Sequence, residues 1–140
     1  MNAIANIDRI ERLETEMRAF PQISIPVTHH FAPGVYAREV TIPAGSLVTG
    51  KIHKRAHLNI ISKGEITVLT DDGLKRIKAP CTLLSAPGTK RVGLAHTDTV
   101  WTTIHGTYET DLGKIEAEFI AQSRDDYLEF RAALLLAAKE

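Results

Sequence analysis

The segment Lys51-Ile52-His53-Lys54-Arg55-Ala56-His57 sets two imidazoles four residues apart beside three cations, with no carboxylate among them. A neutral imidazole ligates metals and exchanges protons near neutral pH. A cation beside it attracts anions. The flanking residues, 46–50 and 58–61, include Leu, Val, Thr and Ile and predict β-strand rather than helix. Alternate residues of a strand share a face, so an unbulged strand would put Lys51, His53, His57 and Asn59 on one side. Such a face suits an anion or a metal better than a hydrocarbon core.

Three chemistries compete for these residues. His53 and His57 can be two ligands of a divalent metal, with His105, His96 or His30 as a third, since catalytic sites commonly use three protein ligands. Neighbouring cations and the lack of a carboxylate count against that set. In the second chemistry the basic groups bind an anion. Arg offers a planar fork for an oxyanion and Lys a point charge, Asn59 can read a sugar or base edge, and Trp101 can stack on a base. In the third, His53 and His57 act as base and acid on one phosphodiester without metal, while a nearby cation stabilises the developing charge. The ordinary alternatives are core or interface packing for Trp101 and a structural or subunit contact for His29-His30. Cys81 reads as a small strand residue.

The elements must carry these groups to one place. Six stripe positions (Ile4, Ile7, Ile10, Leu13, Met17 and Phe20) predict an amphipathic helix over 3–20, closed by Pro21. Turn signals at Ala32-Pro33-Gly34, Pro43-Ala44-Gly45, Lys63-Gly64, Asp71-Asp72-Gly73 and Ala86-Pro87-Gly88 then divide short runs rich in Val, Ile and Thr. The predicted strands are 35–42, 47–53, 58–61, 65–70, 74–77, 82–85, 91–95 and 99–105. Strands at this spacing indicate an all-β sandwich or barrel. Two helices follow, over 111–122 and 125–139, with Ser123 or Asp125 as the cap of the second. The expected organisation is a single domain over 1–140: an N-terminal helix in 1–22, a β-barrel in 23–107 and a helical tail in 108–140.

Bulk properties narrow the classes. Net charge is zero, which argues against non-specific nucleic-acid binding. Nine Lys or Arg stand against three Asp or Glu between Lys51 and Arg91, so the middle of the chain is basic. No run approaches the roughly 20 apolar residues that span a bilayer, so no membrane association is expected. The single Cys81 forms no internal disulfide and makes no cysteine zinc site, which fits a reducing compartment.

The middle of the chain resembles a cupin. In the first cupin motif His53 falls on the second histidine, Lys51 replaces the first, His57 stands where a glutamate belongs, and Gly64 is the closing glycine. In the second, Ala86-Pro87-Gly88 fits the turn and Arg91 takes the histidine position, with His96 as the alternative. More narrowly, His29-His30-Phe31-Ala32-Pro33-Gly34, Thr49-Gly50-Lys51-Ile52-His53-Lys54, Thr89-Lys90-Arg91-Val92-Gly93 and Val100-Trp101-Thr102-Thr103-Ile104-His105 resemble small cupin-like proteins encoded by tailed bacteriophages. The resemblance implies a mainly β, jelly-roll barrel that pairs as a homodimer or larger. It also implies that Lys51, His53, His57 and Arg91 converge at the barrel mouth, with Asn59, Lys90, Trp101 and His105 around them.

The expected ligand is then a small anion, nucleotide-derived (cyclic or phosphorylated), which the protein sequesters or cleaves in the cytoplasm of an infected bacterial host to counter a nucleotide signal. No cofactor is required in that reading. A metal-dependent cupin enzyme acting on a small organic substrate, with a divalent metal on His53 and His57, is the first alternative. A structural or virion-associated protein is the second. The inward register of strand 99–105, which decides between His105 and Ile104, is left open by the sequence.

Overall fold

The computed structural model describes residues 3–139; residues 1, 2 and 140, the ends of the expected 1–140 domain, lie outside the described residues. In chain order the elements are α1 (Ala3–Met17), β1 (Val27–Ala32), β2 (Val35–Ile42), β3 (Leu47–Thr49), β4 (Ile52–His53), β5 (His57–Lys63), β6 (Glu65–Thr70), β7 (Gly73–Lys78), β8 (Cys81–Ser85), β9 (Val92–Ala95), β10 (Thr99–His105), α2 (Leu112–Phe119), β11 (Ile120–Ala121) and α3 (Arg124–Ala137). Among the described residues no helix is long and apolar enough to cross a membrane.

Every strand pairing is antiparallel. One sheet has the order β1-β2-β10-β5-β8, a second β3-β9-β6-β7, and β4 pairs with β11 in a short ribbon. Non-sequential neighbours such as β2-β10-β5 give the crossed connections of a jelly roll rather than a meander. The two larger sheets face each other across Ile42, Ile61 and Trp101 from one side and Ile66, Val68 and Ala95 from the other. Alternation fixes which side chains enter. Along β5, His57, Asn59 and Ile61 are buried while Leu58 and Ile60 point outward.

The helices close the outside and one end. Ile7 of α1 packs with Ile52, Ala121 and Tyr127. Ile115 and Phe119 of α2, one helical turn apart, bury against Tyr36 at the inner face of β2. Asp111 caps α2 by accepting from the Lys114 amide, and Ser123 caps α3 by accepting from the Asp126 amide. Gly64 sits at φ +92° where β5 turns into β6, and a Cβ there would stand 2.3 Å from the Asp98 carbonyl oxygen. That close approach fixes the residue type at this turn.

Three differences from the sequence expectation have physical causes. Strand 47–53 is two strands, β3 and β4, with Gly50 between them. β1 was not among the predicted strands; its six residues are all exposed, so it carries no burial alternation to betray it. The helical tail is interrupted by β11, whose two residues are too short to leave a periodic signal.

Candidate functional site

Three imidazoles meet inside the barrel, beneath Phe119 of α2. Ring centroids of His53 and His57 are 4.1 Å apart, His53 and His105 5.6 Å, and His57 and His105 5.2 Å. Each arrives from a different strand. β5 delivers His57 inward, β10 delivers His105 inward and turns Ile104 out, and β4 delivers His53 from the short ribbon. Contrary to the sequence expectation, Lys51, His53, His57 and Asn59 do not share one strand face. Residues 54–56 break the strand, and His53 meets His57 from a separate piece of sheet rather than along one continuous face.

Lys51, in the gap between β3 and β4, stays outside the site. Its ammonium is exposed and pairs with Glu116 on α2. Lys90 turns to α1, where it lies 2.8 Å from a Glu14 oxygen, and the other Glu14 oxygen accepts from the Thr49 hydroxyl. Neither lysine joins the imidazoles.

Arg91 does join them. The loop that carries it is stitched to β4: His53 donates its amide to the Thr89 carbonyl, Gly88 donates to the His53 carbonyl, and Gly50 donates to the Arg91 carbonyl. Its guanidinium Nη2 donates to the Ser85 hydroxyl at 3.0 Å, and its buried Nε–H has no partner. Burial works against the charge and lowers the pKa from the usual arginine value, with Asp71 opposing.

Behind Arg91 lies a closed polar chain. Asn59 Nδ2 donates to Ser85 Oγ at 2.8 Å, and Asn59 Oδ1 accepts from Trp101 Nε1 at 3.0 Å and from the Thr103 hydroxyl at 3.2 Å. Asn59 is therefore committed inward rather than free to read a base edge. Trp101 packs in the core between the sheets, which is its ordinary role and not a stacking platform. Ser85 was not singled out in the sequence. The only local signal was its place two residues before the Pro-Gly turn; the β5–β8 pairing that sets it opposite His57 is visible only in the structure.

The electrostatics keep the imidazoles neutral. Burial, with His57 and His105 adding like charge, lowers the pKa of His53 to about 3. Burial and His57 lower His105 to about 4. His57 is lowered by burial, and Arg91 works in the same direction against a carbonyl contact from Arg55. That carbonyl can only accept, so His57 Nδ1 carries the hydrogen and Nε2 keeps its lone pair in the neutral ring. His105 Nδ1 is buried without a partner, and the Phe119 ring stacks on His105 at 4.4 Å.

The other histidines lie elsewhere. His29 bonds the Tyr36 hydroxyl, His30 pairs with Glu39 on the outer face, and His96 bonds the Thr67 hydroxyl. Of the three residues considered for a third ligand, only His105 reaches the pair. Cys81 is a half-buried free thiol in β8.

A cupin fold raises the question of a metal. Here three imidazoles lie with their rings tilted 23–43° from parallel, without a carboxylate, beside an arginine. Among the described residues no group of three or more His, Cys, Asp or Glu stands in a metal-holding arrangement. Their in-plane lone pairs do not converge in a metal-holding arrangement, and the guanidinium repels a cation. The side chains as placed do not fit a metal centre.

The fold has clear likenesses among solved structures. A cupin-superfamily protein from Desulfitobacterium hafniense aligns with a TM-score of 0.51 at 12% identity, covering 62% of this chain and 81% of that one. KdgF from Halomonas aligns with a TM-score of 0.51 at 12% identity over 63% of this chain and 85% of its own. The Cupin_2 domain of an XRE-family transcriptional regulator from Enterobacter cloacae gives 0.51 at 12% identity, over 61% and 99%. No protein-family model matches the chain, and no curated protein matches it in sequence. The architecture is thus the cupin jelly roll, a fold that hosts many activities, with its own set of side chains inside the barrel.

Proposed function

We propose that the barrel interior binds a small ligand through one singly charged oxyanion, held by Arg91, with the neutral imidazoles of His53, His57 and His105 against the rest of it. The observation that supports this most is the buried Arg91 Nε–H, a charged donor without an acceptor, beside His57. A buried donor left unmatched costs about 1–3 kcal/mol, more when charged, and a ligand oxygen would relieve that cost. With one cation, three neutral rings and no carboxylate bonded to Arg91, the charge suits a monoanion better than a dianion, the more so because Asp71 already acts on Arg91. Carboxylates and phosphodiesters qualify; a phosphomonoester dianion leaves one charge uncompensated.

A cyclic or otherwise phosphodiester-containing nucleotide falls within this class. Its capture by a bacteriophage protein against a host signal is the finer reading, and it rests on the resemblance of the four segments quoted above. Homodimer or larger assembly rests on the same resemblance, and native mass spectrometry reads it directly. For turnover, His57 Nε2 offers a base for activating water, and Arg91 stabilises charge developing on the reacting oxygen. The depressed pKa values leave little imidazolium at neutral pH to act as an acid, so capture is favoured over a two-histidine hydrolysis.

Calorimetry and product analysis against carboxylates and mono-, di- and cyclic nucleotides test the reading. Binding of a monoanion by the wild type, weakened on the order of tenfold to a hundredfold by Arg91→Ala with the fold intact, is the expected result. No heat and no thermal shift across the panel overturns it. Stoichiometric metal in the purified protein, with activity lost to chelator, would instead establish the metal-dependent enzyme. Neither ligand nor metal, with co-purification in particles, would point to a structural protein.

A further inference from the structure

We propose that Ser85 is a ligand-binding residue, its hydroxyl hydrogen forming the second point of the oxyanion grip begun by the Arg91 Nε–H. The inference rests on the oxyanion reading and specifies how the charged group is held. It follows from counting donors and acceptors along the buried chain.

Trp101 Nε1 can only donate, so the Asn59 atom facing it is the carbonyl oxygen, and the amide nitrogen faces Ser85. The Asn59 carbonyl also takes the Thr103 hydroxyl hydrogen, which fills its two acceptor positions. Asn59 Nδ2 then donates to Ser85 Oγ, and Arg91 Nη2, which again can only donate, uses the same oxygen. Ser85 Oγ therefore spends both lone pairs as an acceptor, and its one hydrogen is left to give. Ser85 is 1% exposed and Asn59 2%, so bulk water does not absorb that hydrogen. Two directed donors result, an N–H and an O–H on side chains already bonded to each other. They suit a group that presents two oxygens on one centre: a carboxylate or a phosphodiester. A ligand with a single acceptor would meet only one of them.

The test uses the whole protein with acetate and dimethyl phosphate as minimal monoanionic probes, titrated by NMR so that millimolar affinities are readable. Ser85→Ala is expected to weaken both by about tenfold or more, as for the loss of a hydrogen bond to a charged acceptor. Positioning of Arg91 alone could give the same loss, so the decisive comparison is made without Arg91. If Ser85 touches the ligand, Arg91→Ala/Ser85→Ala binds more weakly than Arg91→Ala. Equal affinity of those two proteins would overturn the proposal and leave Ser85 as a support for Arg91. An unchanged affinity for Ser85→Ala also overturns it, while a loss on Arg91→Ala would still uphold the oxyanion site. Wild type that binds neither probe removes both. Should Ser85→Ala fail to fold, Ser85→Cys keeps a side-chain atom beside Asn59 and Arg91 but donates weakly, and carries the same comparison.

Discussion

Arg91 is held from one side only, by Ser85, and near its unpartnered Nε–H lies His57, an imidazole that burial keeps neutral. This pairing of a fixed donor with unprotonated imidazoles makes acid a specific threat to the fold. His53 titrates in the folded protein at about 3 and His105 at about 4, against roughly 6.5 in an unfolded chain. Between those values the unfolded chain binds more protons, so stability rises with pH and is lost as pH falls below about 6.5 toward 3. Each such proton contributes a slope approaching about 1.4 kcal/mol per pH unit. Urea denaturation from pH 7 to pH 4 should show a steep acid limb. Replacing His105 by Gln should flatten it by up to one proton's worth, and an unchanged slope would refute the burial account. At this scale the sequence was partly legible. His53 and His57 could be paired from spacing alone, though for the wrong geometric reason. Lys51 and Lys90 could not be excluded, because their carboxylate partners, Glu116 and Glu14, lie 65 and 76 positions away (116 − 51 and 90 − 14).

At the scale of elements, α2 and the β4–β11 ribbon govern access. Lys54 donates its amide to the Phe119 carbonyl and its ammonium to the Ala117 carbonyl, and the Lys51–Glu116 pair adds a third tie. These bonds hold Phe119 over His105. Phe119→Ala should expose His105 and raise its rate of acylation by diethyl pyrocarbonate, at a stability cost of about 3–5 kcal/mol for a buried aromatic. An unchanged acylation rate would mean that another element shields the ring. The β5–β6 turn gives a second expectation. Gly64→Ala puts a Cβ against the Asp98 carbonyl at a left-handed φ, and should cost more than the ~1 kcal/mol typical of point changes, read as a lowered Tm. Strands β2, β6 and β10 were legible in the sequence to their end residues. β2 and β6 carry alternating apolar positions between turn signals, and β10 is a run rich in Thr, Val and Ile. The Phe119 cover was not, since an amphipathic helix announces that it packs but not what it packs on.

At the scale of the molecule, the jelly-roll crossings bring together residues that sequence distance keeps apart. His57 and His105 are 48 positions apart (105 − 57), yet their rings lie 5.2 Å apart. Such non-local pairing predicts slow folding, in milliseconds to seconds for all-β topologies. Stopped-flow refolding followed by Trp101 fluorescence should fall in that range, because Trp101 gains its burial only when the two sheets meet. A microsecond phase carrying the whole amplitude would contradict the topology argument. The fold class was readable because turn spacing and strand composition are local signals. The strand order was not, because nothing local records that β10 lies between β2 and β5.

That central place of β10 has a consequence for the nascent chain. β5 ends at Lys63 and β10 starts at Thr99, 36 residues later (99 − 63). At roughly 5–20 residues per second of synthesis, β5 waits on the order of 2–7 s, and β2 longer, with one edge unpaired. During that interval their apolar side chains and open backbone edges are available to chaperones or to another nascent chain. His105 is the last residue of β10, so the imidazole cluster is completed only as that strand is seated.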